Sequence, residues 1–132
     1  MAYPDDRITW IKSDGTPLAH GTAATNGATY YAELPVQGYR DFWAGLEWDA
    51  VEASAFTLES ASKSTSELDS YAAAGTGWTS QKTNLGTISA AGGSASCDEW
   101  QVYEAQAKRW RVKRVVTTGG VVTGRCATKA SV

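Results

Sequence analysis

The segment Lys108 to Cys126, KRWRVKRVVTTGGVVTGRC, restricts the fold of this chain more than any other. Val112, Val115, Val116, Val121 and Val122 are β-branched and suit pleated, half-buried backbone. Gly119 and Gly120 offer the backbone freedom of a tight reversal, so the segment predicts two strands joined as a β-hairpin. The first strand also holds five cations: Lys108, Arg109, Arg111, Lys113 and Arg114.

The rest of the chain repeats the β signal. Arg7–Lys12, Ala28–Leu34, Trp43–Ala50, Ala55–Ser60 and Leu85–Ser89 are short strand candidates set between Gly, Ser, Asn and Asp. In the third, Ala44, Leu46 and Trp48 face one way and Glu47 and Asp49 the other. A turn over Asp49–Ala53 would join it to the next strand as a second hairpin. Ser60–Thr76 is poor in large apolar residues and reads as a long loop tethered by Leu68 or Tyr71. Asp98–Ala107 fits a capped helix through Ser96 and Glu99, and fits a strand as well; its strand neighbours favour strand. The expectation is one domain over residues 1–132, an antiparallel β-sandwich of about eight strands, jelly-roll-like, with a loose arm over residues 1–6.

Charge is unevenly placed. Residues 1–96 hold 5 basic and 11 acidic groups, residues 97–132 hold 7 basic and 3 acidic, and the net charge is −2. Such a dipole suits docking to a complementary surface or to a second copy. Arg109, Arg111, Lys113 and Arg114 are the residues expected to carry that contact, and reversing the charge of Arg111 and Lys113 should leave the fold intact. Nucleic acid is disfavoured, because the cations fall on both faces of the strand and the whole chain is acidic. No apolar run is long enough for a membrane helix. Met1–Trp10 shows no basic-then-apolar leader pattern, so cytoplasmic synthesis is expected.

Catalytic patterns are absent. His20, the sole histidine, lies in a Gly/Ala/Thr loop with nothing local to activate. Cys97 and Cys126 do not form a metal or redox motif, and free thiols are expected. Asp5/Asp6, Glu47/Asp49 and Asp98/Glu99 are too sparse for a calcium loop, and the pair on one strand reads as a solvated face before it reads as a glycosidase dyad. No cofactor, no metal and no enzymatic activity are expected.

Aromatic residues carry the stronger signal, with six Trp and six Tyr against two Phe. Trp and Tyr are used where a ring meets water or a partner. Trp10, Trp48 and Trp110 are placed in the core. Trp78 and Trp100, beside flexible Gly/Ser stretches, are the candidates for exposed contact. Carbohydrate modules and oligomer interfaces both use such platforms.

The layout of the Gly38–Asp41 step, a Trp-bearing strand pair, a Ser-rich loop and the RWRVKRVVTTGG segment resembles head decoration, or cement, proteins of tailed bacteriophages. The resemblance spans Ile8 to Thr128 as a layout and has no specific motif. It implies a non-enzymatic virion protein on the capsid outer surface, assembled in the host cytoplasm. Its partners would be the major capsid protein and its own copies, as a dimer or trimer. The arm from Met1 to Asp6, with Tyr3, would clamp a neighbour, and many weak copies would hold by avidity. The alternative is a carbohydrate- or receptor-binding sandwich of a phage tail fibre. That reading expects exposed aromatics beside Asn, Asp and Gln.

Overall fold

A computed structural model describes residues 8–80, 87–103, 105 and 107–129. It contains nine strands: β1 (Ile11–Lys12), β2 (Thr29–Glu33), β3 (Asp41–Trp48), β4 (Ala53–Ala61), β5 (Thr79–Ser80), β6 (Thr87–Ala91), β7 (Ser96–Val102), β8 (Arg109–Thr118) and β9 (Val122–Lys129). No helix occurs among the described residues. The larger sheet runs β1-β2-β8-β4-β5, with β6 also on β4, and the smaller runs β7-β3-β9. Every pairing is antiparallel. The chain is therefore an all-β sandwich, as expected. The ambiguous segment after Ser96 is strand as far as Val102.

Alternation along the strands builds the core. Tyr30, Ala32 and Leu34, Phe56 and Leu58, and Trp110, Val112 and Val116 project from the larger sheet. Phe42, Ala44, Leu46 and Trp48, Trp100 and Val102, and Val122 and Cys126 meet them from the smaller one. Trp48 stacks on Phe56 at 5.6 Å between ring centroids, and Phe42 meets Trp110 edge-on at 5.3 Å. Burial of these large side chains is the main favourable term in folding. Trp10, Trp48 and Trp110 are all core, as their positions on alternating strands predict.

Both expected hairpins are corrected. β8 pairs with β2 and β4, whereas β9 pairs with β3 alone among the described strands. Likewise β3 and β4 lie in different sheets. Each connection is an arch that carries the chain across the sandwich. The arch between β6 and β7 lies at the same end, with Gly93 N–H donating to the Ala50 carbonyl at 2.7 Å. Asp49 ties the first arch to the last. Its Oδ1 accepts the N–H groups of Val51 and Glu52, and its Oδ2 accepts that of Val121. These bonds, chiefly the one from Val121, hold the Asp49 carboxyl below its usual range.

Gly119 and Gly120 are needed for a different reason than a tight turn. Neither has a positive φ. A Cβ on Gly119 would sit 1.7 Å from the Ala24 carbonyl oxygen, and one on Gly120 would sit 2.1 Å from Asp49 Oδ1. The glycines admit neighbouring chain segments, which pattern reading alone does not reveal.

Candidate binding face

Three of the four cations of the predicted basic surface, Arg109, Arg111 and Arg114, are interior. Arg111 and Arg114 are 0% exposed and Arg109 is 2%. Arg114 projects into the sandwich, where Nε and Nη2 donate to the Glu52 carboxylate at 2.8 and 2.7 Å, and its guanidinium lies 5.1 Å from the Trp10 ring. Arg109 and Arg111 point outward but are roofed by the segment 62–78. Arg109 makes a fork on Glu33 at 2.7 and 2.6 Å and donates to the carbonyls of Ser64 and Leu68. Its pKa is raised, chiefly by the Glu33 hydrogen bond. Arg111 pairs with Glu59 and donates to the carbonyls of Ser70 and Ala72. Burial lowers its pKa against the opposing pull of Glu59.

Trp78 and Trp100 are buried as well, correcting their assignment to exposed contacts. Trp78 lies against both outward guanidiniums, at 4.9 Å from Arg109 and 4.3 Å from Arg111. The strap over residues 62–78 folds back on Trp78, Leu68 and Ala61. It is the expected long loop with Leu68 as a tether. Arg109 and Arg111 are thus the anchors of a strap, and the proposed charge reversal at Arg111 would place a carboxylate beside buried Glu59. Lys113 is half-buried and Lys108 exposed. Tyr3 lies outside the described residues. Neither Cys97, which is exposed, nor Cys126, which is buried, is in a disulfide, as expected.

The open surface lies on the other sheet. The outward side of β3 presents Trp43, Gly45 and Glu47 between Gln101, Glu99 and Cys97 of β7 and Ala127, Arg125 and Thr123 of β9. Trp43, Glu47, Glu99 and Arg125 line one shallow depression. A second adjoins it, lined by Trp43, Gln101 and Tyr103. The indole of Trp43 lies over Gly45: a Cβ there would sit 2.4 Å from Trp43 Cζ2. Lack of a side chain at Gly45 is what lets the ring lie down on the sheet.

Polar groups hold this ring and each other. Trp43 Nε1 donates to Glu99 Oε2. Gln101 Nε2 donates to Glu99 Oε1 at 3.4 Å, and the Tyr103 hydroxyl donates to Gln101 Oε1 at 2.6 Å. Two donors, the Trp43 indole N–H from β3 and the Gln101 amide on β7, thereby converge on one carboxylate, and the Tyr103 hydroxyl joins the chain through Gln101. Tyr103, at 64% exposure, is the most exposed large apolar side chain among the described residues. Trp43 and Tyr103 escaped assignment from sequence, yet a signal existed. Trp43 shares the odd-numbered, polar side of its strand with Glu47, where a tryptophan has no core to fill.

The arrangement has the chemistry of a binding surface. It offers an aromatic surface, fixed acceptors and one guanidinium. His20 is exposed on a turn. No cluster of three or more His, Cys, Asp or Glu that could hold a metal occurs among the described residues. No helix among them is long and apolar enough to cross a membrane. The chain matches no family model and no curated protein.

Proposed function

We propose that this protein is a non-catalytic β-sandwich module that binds carbohydrate across the outer face of β7-β3-β9. The observation that carries the reading is the Trp43 indole laid on Gly45 and held there by Glu99. A sugar ring presents apolar C–H faces that stack on an aromatic, and vicinal hydroxyls that need donors and acceptors side by side. Glu99, Gln101 and Tyr103 supply those groups in one pre-ordered row, which reduces the entropy lost on binding. The sequence resemblance to phage virion proteins would place such a module on the exterior of a particle, where host surface glycans are met. The capsid-decoration reading drew much of its contact surface from Arg109, Arg111, Arg114, Trp78 and Trp100, which are buried; its other candidate contact, the arm with Tyr3, lies outside the described residues.

The test is a glycan screen followed by titration of intrinsic fluorescence. Trp43→Ala should weaken binding by at least about 30-fold, in keeping with a hot spot of about 2 kcal/mol. The same change should leave thermal stability within about 1 kcal/mol, because the ring lies on the outer face. Unchanged affinity in a folded Trp43→Ala protein would refute the assignment of this face.

A further inference from the structure

Glu47 and Arg125 stand apart from the ordered row. Both are exposed, both line the Trp43 depression, and neither forms an ion pair or hydrogen bond among the described residues. Arg125 lies directly across from Gly45, and Glu47 is two residues further along β3. They are diagonal neighbours, a spacing of about 7–8 Å that holds two side chains without forcing them to pair. Glu99 lines the same depression, so two carboxylates on the outer face, Glu47 and Glu99, stand around the indole against one guanidinium, with Asp98 at the rim. We infer that the face selects neutral or amino-bearing glycans and rejects uronate-bearing chains, with Glu47 as the specificity-determining residue. This rests on the carbohydrate reading above. The committed Glu99 orients the indole, whereas the uncommitted Glu47 is free to accept from a sugar ammonium or hydroxyl in the centre of the sheet. Arg125 alone offsets only part of the negative potential that an incoming carboxylate would meet.

The experiment compares hexamers of glucosamine, N-acetylglucosamine and galacturonic acid by titration against the full chain. At low salt the glucosamine hexamer should bind about 5- to 10-fold tighter than its acetylated counterpart, the size expected of one or two nearby carboxylates at a wet surface. The uronate hexamer should bind weakest. The preference should shrink about threefold in Glu47→Gln and nearly vanish at 1 M salt, where screening acts over about 3 Å. Uronate binding equal to or tighter than neutral binding, lost in Arg125→Gln, would overturn the inference and leave the carbohydrate reading standing. Binding of the three hexamers without preference would also overturn it. No binding to any glycan would overturn both.

Discussion

At the scale of single residues, glycine positions decide where other side chains go. Gly45 has no turn to make, and its role is to leave room for the Trp43 ring. Gly45→Val should lift the indole from the sheet and abolish glycan binding as fully as Trp43→Ala. The fold should persist, because β3 gains a β-branched residue on its open side. Paired melting and titration experiments check both halves. Inside the sandwich, Arg114 and Glu52 are each 0% exposed. Glu52 also accepts the Gly120 N–H and the Ser54 hydroxyl. Removing one partner strands a charge in a dry site, so Glu52→Gln should cost about 3–5 kcal/mol in urea unfolding. An apolar replacement of the whole pair would be far milder by the same argument.

Elements show how buried charge can serve architecture. The strap over residues 62–78 has few large apolar residues and cannot be held by hydrophobic burial alone. Its carbonyls are instead gathered by Arg109 and Arg111, with Trp78 pressed against both guanidiniums. Trp78→Ala should destabilise by about 3–5 kcal/mol and expose the strap to proteolysis before global unfolding. Arg111→Glu with Lys113→Glu should fail to fold, whereas Lys113→Glu alone should shift stability by about 0.5 kcal/mol or less. The arches carry a pH signature. The Asp49 carboxyl has a folded pKa below its ordinary 3.8. Its stabilisation is therefore complete above pH 3.8 and is lost as pH falls through the lower, folded value. Asp49→Asn should flatten the acid limb of the stability profile below that pH, read by urea melts across pH.

On the scale of the whole molecule, the sandwich sets a polar, open face apart from a strapped one. On β7, which has β3 as its one partner among the described strands, Asp98 occupies an inward-facing position at the rim yet remains exposed. Inward charge on an edge strand opposes strand addition. Recognition is accordingly expected through the face of the sheet and not along its edge. Two bulk measurements check the architecture. One thiol, Cys97, should react in the native protein and a second, Cys126, only after unfolding. Circular dichroism should show no helical double minimum.

What the sequence determined by itself was local. Period-two alternation follows from the pleat, so Tyr30, Ala32 and Leu34, or Ala44, Leu46 and Trp48, declare a buried side wherever the strand lies. Antiparallel β class, the core positions of Trp10, Trp48 and Trp110, and the lack of a disulfide between Cys97 and Cys126 follow from that and from composition. Only the tertiary structure decided which sheet each strand joined. A short Gly-containing connection serves a hairpin or an arch equally well, and the choice depends on partners distant in sequence. That choice carried the charges with it. Arg109, Arg111 and Arg114 read as an accessible contact surface because charged residues are seldom fully buried unless paired. Their partners Glu33, Glu59 and Glu52 lie 52 to 76 residues away, and no local pattern links them. For the same reason the recognition face emerged only when β7 and β9 flanked β3. That pairing placed Glu99 beside Trp43, and with it turned one odd-numbered tryptophan into a platform.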